Sequence, residues 1–177
     1  MKNTMSTFKS IYNKDLNRYN YQPSVYLRLF HFLLRKSSTS KFVLSRKIYR
    51  VLYRIWSVRK GLEIPATLNV GPGLYLGHPY NITINPKTTI GANCNIHKGA
   101  LIGQCNRGKY EGVPTIGNQV WIGINAAIVG NVTIGDDVLI APNSFVNVDV
   151  PSHSVVFGNP CIIKHRNWAT EGYINNI

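Results

Sequence analysis

Five histidines are the side chains best suited to proton transfer near neutral pH in this 177-residue chain, because the reference pKa of imidazole is close to neutrality. Among them, His78 occupies the segment L-Y-L-G-H-P-Y-N beside a predicted turn, where its ring can face a cleft. A histidine placed in this way can take a proton from a hydroxyl group that attacks an acyl donor. The sequence therefore predicts that His78 is a general base, with a structural turn histidine as the alternative.

The other histidines are weaker candidates. His97, in N-I-H-K-G-A, follows a predicted inward aliphatic residue, and it is interpreted as a structural histidine and as the rival base. His153 and His165 fall in the closing turn and the tail, where solvation is expected. The remaining one, His31, lies outside the repeats described next.

An aliphatic residue returns at every sixth position from Ile64 onward, and this period must position the histidines. Glycine often follows it, and Asn, Pro and Asp crowd the intervening turns. A hexapeptide period is typical of a parallel β-helix, in which three short strands and their turns form one triangular coil. Roughly four to five coils are expected. The repeated aliphatic residues are Ile64, Val70, Leu76, Ile82, Ile90, Ile96, Ile102, Ile116, Ile122, Ile128, Ile134, Ile140 and Val146.

Two interruptions break this period. One is an eight-residue step from Ile82 to Ile90, and the other is a fourteen-residue step from Ile102 to Ile116. The longer step predicts a polar loop over 104–115 that extends outward from the β-helix. Insertions in solenoids commonly build binding surfaces, so this loop is a candidate acceptor site, with a tolerated surface insertion as the alternative.

Residues 1–60 carry 14 Lys and Arg against one acid, Asp15, and this surplus accounts for the whole net charge of +13. Helices are predicted over Ser24–Lys36 and Lys41–Lys60. The second is amphipathic and basic, which favours either contact with an anionic membrane surface or packing of its apolar side on the β-helix. Its apolar residues are Leu44, Ile48, Val51, Leu52 and Ile55, and Arg46, Arg50 and Arg54 lie on the other side.

The three cysteines, Cys94, Cys105 and Cys161, are odd in number and lack the spacing of a metal site. We therefore predict neither a disulfide framework nor a metal centre, and a reducing cytoplasm fits best. The sequence contains neither an apolar signal-peptide core nor a run of 18 apolar residues, so we expect no secretion signal and no membrane span. We also expect no nucleic acid partner.

Four segments carry a resemblance to a known family: E-I-P-A-T-L-N-V-G-P-G-L-Y-L-G-H, G-A-L-I-G, V-P-T-I-G-N-Q-V-W-I-G and V-F-G-N-P-C-I-I-K. Together they resemble the serine acetyltransferase branch of the hexapeptide-repeat acyltransferases, over residues from about 60 to 166. The resemblance implies a mainly β, left-handed parallel β-helix. It also implies acetyl-CoA as the acetyl donor and a homotrimer with active sites between subunits.

The resemblance also implies roles for particular residues. In that family an acidic residue, usually Asp, precedes the catalytic histidine by fifteen positions, and here Glu63 precedes His78 by fifteen. His78 would deprotonate the acceptor, and Glu63 would orient its imidazole and stabilise the imidazolium. Acetyl-CoA would lie along the groove between subunits, with Lys164 as a candidate for its phosphates. The matching positions in the groove are Gly103, Gly123, Ile124 and Ala141.

The acceptor is where the sequence departs from the serine branch, which carries Asp directly before the catalytic histidine and Arg-His before the loop proline. Those places hold Gly77 and Gly112-Val113. A free amino acid needs charged partners in a partly dry site, whereas a sugar hydroxyl does not. We therefore predict a saccharide acceptor, bound by loop residues with uncharged or hydrogen-bond acceptor groups. These residues are Gln104, Asn106, Tyr110 and Glu111.

The chain has a short basic segment in place of the family's helical domain. In this respect it resembles acetyltransferases of capsule, exopolysaccharide or lipopolysaccharide synthesis, whose acceptors are often lipid-linked. We expect a basic helical segment over 1–60, an acyltransferase β-helix over 61–166 and a tail over 167–177. The protein would be cytoplasmic, with peripheral contact at the inner membrane face. One alternative is a serine O-acetyltransferase of cysteine biosynthesis, and another is a non-catalytic protein that binds an anionic polymer through its basic segment.

Overall fold

The computed structural model describes residues 3–177, with side chains from Thr7 onward. Three helices come first: α1 (Asn3–Asn17), α2 (Val25–Thr39) and α3 (Val43–Val58). The sequence predicted α2 and α3 but not α1, whose segment is mostly polar. It is held by aromatic contacts, since the rings of Phe8 and Tyr12 meet the ring of Phe32 edge-on. None of the described helices is both long enough and apolar enough to cross a bilayer.

Fifteen short strands follow and form three sheets. Each complete coil of the chain contributes one strand to each sheet. The first sheet contains β1 (Leu62–Glu63), β4 (Ile82–Ile84), β7 (Leu101–Gly103), β10 (Ala127–Val129) and β13 (Phe145–Val146). The second contains β2 (Asn69–Val70), β5 (Thr89–Ile90), β8 (Thr115–Ile116) and β11 (Thr133–Ile134). The third contains β3 (Tyr75–Gly77), β6 (Asn95–His97), β9 (Val120–Ile122), β12 (Val138–Ile140), β14 (Ser154–Phe157) and β15 (Ile162–His165).

Strands pair in parallel throughout the three sheets, except that β15 returns antiparallel to β14. Equivalent aliphatic residues of successive coils stack in register inside the prism, as Ile102 does on Ile128 and Ile96 on Ile122. These side chains are fully buried, and the stack is the hydrophobic core. The predicted fold class, a left-handed parallel β-helix of four to five coils with a short basic helical segment, is confirmed.

The first interruption of the repeat was predicted between Ile82 and Ile90, but it lies one hexapeptide earlier in the chain. Ile84, not Ile82, is in register with Ile102, and it precedes Ile90 by the regular six positions. The two additional residues therefore lie between Leu76 and Ile84, in the corner that contains His78. Period alone could not distinguish the two isoleucines, because both are aliphatic and both are buried.

The helices α1 and α2 close the amino-terminal end of the β-helix with a buried polar network. Asp15 is fully buried and accepts hydrogen bonds from the backbone N–H groups of Gly73 and Leu74, at 2.9 and 3.0 Å. Arg35 donates to both carboxylate oxygens of Asp15, at 2.7 and 2.9 Å. Tyr19 accepts from the N–H of Leu76 at 3.1 Å. These bonds satisfy backbone donors at the open edge of the first coil, which would otherwise be unpaired.

The carboxy-terminal tail lies over the outer face of the third sheet and is held by a second buried aspartate. Asp137 accepts from the backbone N–H groups of Ala169 and Thr170, both at 3.0 Å, and from the Thr170 hydroxyl at 2.7 Å. Further along the tail, the ring of Tyr173 meets that of Trp121 at 5.2 Å. The tail thus covers part of the third sheet.

Candidate active site

His78 lies in the corner between β3 and β4, where the chain passes from the third sheet to the first. Its side chain is exposed, and its backbone adopts a left-handed conformation with φ of 50°. Corresponding corners of later coils place the next aliphatic residue six positions on, whereas this corner takes eight. The two additional residues present His78 on a larger corner at the edge of the prism.

The corners of successive coils stack on that of His78 through backbone hydrogen bonds. Lys98 donates its N–H to the carbonyl of Gly77 at 3.0 Å, and Asn125 donates to the carbonyl of Lys98 at 3.0 Å. Asn143 then donates to the carbonyl of Ile124 at 2.9 Å. Three of the predicted coenzyme-binding residues therefore lie along the same edge of the prism as His78: Gly123, Ile124 and Ala141.

Close backbone contact explains the glycine at one of these positions. A Cβ atom on Gly123 would lie 2.6 Å from the backbone nitrogen of Pro142 and 2.8 Å from the carbonyl oxygen of Ile140. Backbone atoms cannot move aside as a flexible side chain can. Gly123 therefore permits the close stacking of successive coils at this edge of the prism.

His97 is directly beside this corner. Its imidazole covers Gly77 so closely that a Cβ there would lie 2.3 Å from the His97 ring atoms Cε1 and Nδ1. The ring centroid is 4.7 Å from that of Trp121, and Nε2 is buried without a hydrogen-bond partner in the described chain. His97 thus occupies the space that a side chain at position 77 would need.

Burial and the nearby His78 lower the pKa of His97 to about 4. Desolvation is the larger cause, because it disfavours the charged imidazolium. His97 is therefore neutral at physiological pH. His97 therefore adds no positive charge beside His78.

Glu63 lies in β1 on the first sheet and is exposed. Its Oε2 accepts a hydrogen bond from the Thr83 hydroxyl at 3.3 Å. Within residues 3–177 of this single chain, neither a hydrogen bond nor an ion pair joins Glu63 to His78. The catalytic role of the Glu63–His78 pair therefore stays a prediction.

A cavity of about 740 Å³ lies between α3 and the first sheet, and Glu63 lines it together with Gly103. Arg50 and Arg54 face the same space from α3. Gly103 is consequently on a different surface from Gly123, Ile124 and Ala141. Lys164 is separate again, since it lies in β15 with its ammonium 5.8 Å from the ring centre of Phe157.

The loop between β7 and β8 contains the predicted acceptor-binding residues, and it leaves the prism at the corner between the first and second sheets. The backbone of Cys105 pairs with that of Gly112, which closes the loop on itself. Asn85 donates a side-chain hydrogen bond to Gln104 at 3.2 Å, and the carbonyl of Tyr110 accepts from Asn131 at 2.9 Å. Asn106 and Glu111 are exposed. This corner differs from that of His78, so one chain does not bring the loop to the histidine.

Solved structures show the same fold with low sequence identity. Soybean serine acetyltransferase complexed with serine superposes with a TM-score of 0.76 at 22% identity, over 90% of this chain and 70% of that one. A serine acetyltransferase in complex with CoA gives a TM-score of 0.72 at 18% identity, with the same coverage of both chains.

Sequence comparison adds relatives of higher identity. The profile of the bacterial transferase hexapeptide family (six repeats) matches residues 114–147. A serine acetyltransferase from Helicobacter pylori strain 26695 is 33% identical over 112 residues, which cover 63% of this chain and 66% of the relative. One from Staphylococcus xylosus is 35% identical over 120 residues, or 68% of this chain and 54% of the relative. Residues 114–147 thus carry the repeats of the hexapeptide transferase family, and the chain is similar to hexapeptide-repeat acyltransferases. It spans 66% of the H. pylori relative and 38% of a serine acetyltransferase from Arabidopsis thaliana.

Within this hexapeptide-repeat protein, sequence reasoning missed two features that surround His78. The contact of His97 with Gly77 could not be read from spacing, because the two residues are twenty positions apart. The register of the repeat could have revealed this contact. Once the interruption is placed before Ile84, Gly77 and His97 occupy equivalent positions in successive coils. The buried Asp15 network was also missed, although Asp15 is the single acid among the first 60 residues.

Proposed function

We propose that this hexapeptide-repeat protein is an acetyl-CoA-dependent O-acetyltransferase in which His78 is the general base. The observation that carries the proposal is the exposed imidazole of His78 on the same prism edge as Gly123, Ile124 and Ala141. This edge offers backbone groups to an extended ligand and a base at one end of it. The names of the relatives and the CoA complex of one structural neighbour support the choice of donor.

The proposed reaction follows from this arrangement. His78 accepts the proton of the acceptor hydroxyl while the hydroxyl oxygen forms a bond to the acetyl carbonyl carbon. The carbon–sulfur bond then breaks, and the CoA thiolate takes the proton back from His78, which leaves an O-acetyl ester and free CoA. A base in this role contributes roughly 10²- to 10⁴-fold in rate. Glu63 would orient the imidazole in the assembled site.

Serine is the acceptor that the comparisons support best. The H. pylori and S. xylosus relatives are serine acetyltransferases, and the soybean structure contains serine. These relatives favour a place in amino acid metabolism over the saccharide acceptor predicted from sequence. Serine is therefore the first acceptor to test.

A saccharide remains the second candidate because of the contact between Gly77 and His97. The serine branch carries an aspartate at the position of Gly77, and here the neutral ring of His97 fills the space that this side chain would need. Gly112 and Val113 likewise replace the Arg-His pair of the serine branch. A free amino acid would then lack these counter-charges, whereas an uncharged hydroxyl compound would not require them.

A homotrimer would explain why His78 and the 104–115 loop lie at different corners of one chain. In a trimer, the loop of one subunit can face the histidine corner of the next. Gln104, Asn106, Tyr110 and Glu111 would then contact the acceptor across the interface, and Lys164 would contact the CoA phosphates. We place the assembly in the cytoplasm, where acetyl-CoA and reduced cysteines are both maintained.

Acetyl-CoA-dependent thiol release by the purified full chain tests the proposal. Serine and a panel of nucleotide sugars and glycans serve as acceptors, and mass spectrometry confirms the acetylated product. His78→Ala should lower kcat by roughly 10²- to 10⁴-fold, whereas His165→Ala, on the exposed β15, should not. Unchanged turnover in His78→Ala, or no thiol release with any acceptor, would contradict the proposal.

A further inference from the structure

Helix α3 has one face that is fixed against the rest of the molecule. Tyr53 is buried, and its hydroxyl donates to the carbonyl of Ile64 at 2.8 Å. The indole of Trp56 stacks on Tyr26 and donates to the carbonyl of Tyr26 at 3.2 Å. These contacts determine which side chains the helix turns away from the β-helix.

The opposite face of α3 is a continuous apolar stripe. Leu44, Ile48, Val51, Ile55 and Val58 follow one another at alternating spacings of four and three, and each is between 51% and 71% exposed. Residues 42–58 provide eight of the sixteen large apolar side chains that are exposed in the described chain. Scattered apolar side chains on a surface are ordinary, but a patch concentrated on one helix marks an interaction site.

A row of cations flanks the stripe. Lys47, Arg50 and Arg54 follow one another at spacings of three and four and are exposed, and Arg50 and Arg54 also border the cavity between α3 and the first sheet. The sequence contains no Asp or Glu from residue 16 to residue 62, and none of the ion pairs of the described chain involves these cations. The row is therefore cationic without a partner of opposite charge on its own helix.

We propose that this face of α3 is a docking surface for an anionic membrane. Lipid phosphates would neutralise this cationic row, and the apolar stripe would enter the boundary between headgroups and acyl chains. A second copy of α3 fits less well, because a symmetric contact would bring two cationic rows together with no acid on α3 to pair with them. The helix has 16 residues, so it lies along the surface rather than across the bilayer.

This proposal is narrower than contact through residues 1–60 as a whole. Helices α1 and α2 use their buried residues to close the β-helix, which leaves α3 as the element with an unpartnered apolar face among the described helices. The binding is independent of the proposed acetyl transfer. It can therefore be tested whether or not an acceptor is known.

Vesicle co-sedimentation of the full chain tests the surface. Vesicles of phosphatidylcholine with about one third phosphatidylglycerol should bind the protein, and salt should weaken that binding. Replacing Leu44, Ile48 and Ile55 together by Ser should lower the partition coefficient by at least tenfold. Lys47→Gln with Arg50→Gln should lower it by roughly 30-fold on anionic vesicles. The matched control replaces Val25, Ile162 and Ile177, which are equally exposed outside α3, and should bind as the unmodified protein does.

Circular dichroism and light scattering of each variant separate binding from folding and assembly. Equal binding of the unmodified protein to phosphatidylcholine alone would overturn the proposal, as would an equal loss of binding in the control variant. A smaller oligomer formed by the triple Ser variant, with vesicle binding unchanged, would show that the stripe is a contact between subunits and would overturn it too.

Discussion

Two buried aspartates hold flanking segments against the β-helix by the same chemical device with different partners. Under the amino-terminal helices, Asp15 is fully buried and receives two backbone N–H groups together with the guanidinium of Arg35. Under the tail, Asp137 is also buried and receives two backbone N–H groups, and its other contact is with the imidazole of His153 at 2.9 Å. The side chain of Arg35 is almost fully buried, whereas the imidazole of His153 is half-exposed. The first cluster is therefore shielded from water, and the second is open to it.

The difference matters for His78, because the two clusters reach it by different routes. The Asp15 network holds the backbone of Gly73 to Leu76, immediately before His78. The tail approaches it indirectly, through the contacts of Tyr173 with Trp121 and of Trp121 with His97. We therefore expect the amino-terminal closure to support the fold and the tail to affect only its own surroundings.

The largest expected effect comes from Asp15→Ala. It leaves Arg35 buried without its carboxylate and leaves the N–H groups of Gly73 and Leu74 unpaired, so the free energy of unfolding should fall by about 3–5 kcal/mol. Urea denaturation measures this loss. Glu171→Ala, at an exposed acid, should stay within about 0.5 kcal/mol of the unmodified protein. A similarly small change in Asp15→Ala would show that the buried Asp15 network does not support the fold.

A second test concerns the space between Gly77 and His97, which lies near both aspartate clusters. Gly77→Ala should lower the free energy of unfolding by on the order of 1–3 kcal/mol, because the added methyl group overlaps the His97 ring. The double variant with His97→Ala should recover at least part of this loss, with a coupling of about 1 kcal/mol in a double-mutant cycle. Thermal unfolding measures these free energies. If the losses caused by the two substitutions simply add up in the double variant, the contact is contradicted.

Asp137→Ala should lower the free energy of unfolding by about 1–3 kcal/mol, and the effect should be concentrated in the tail. The backbone amides of Ala169 and Thr170 lose their acceptor, so their hydrogen exchange should accelerate while that of the core strands stays slow. Exchange measured by mass spectrometry on peptides of 167–177 and of β9 checks this. Equal acceleration in both peptides would mean that the tail, like the helices, supports the whole fold.

The smallest expected effect is a pH dependence of the same tail. Burial alone would raise the pKa of Asp137, but hydrogen bonds from Thr170, His153 and the backbone outweigh it and lower the pKa below its ordinary value of 3.8. A lowered folded-state pKa stabilises the tail above that ordinary value, and the contribution is lost as the pH falls through the folded-state pKa. Tail exchange should therefore accelerate below about pH 4. Asp137→Asn, which does not titrate, should lack this acid step.

The repeat itself could be predicted because each coil contacts mainly its neighbours. Ile122 must stack on Ile96 and Ile140 whatever the rest of the chain does, so a local period was sufficient to predict the β-helix. The exposed position of His78 at a corner followed from the same period. The position of the first interruption did not follow from the period, because Ile82 and Ile84 are equally apolar and only strand pairing distinguishes them.

The sequence by itself therefore determined the coiled core, the long loop, the amphipathic character of α3 and the candidate base. Only the tertiary structure decided which buried aspartates hold the helices and the tail, that His97 covers Gly77, and that the loop and His78 occupy different corners. Periodicity records which side of an element is apolar, and it carries that information within a few residues. Contacts such as Asp15 with Gly73, 58 positions apart, depend on how the helices dock, which no local pattern encodes.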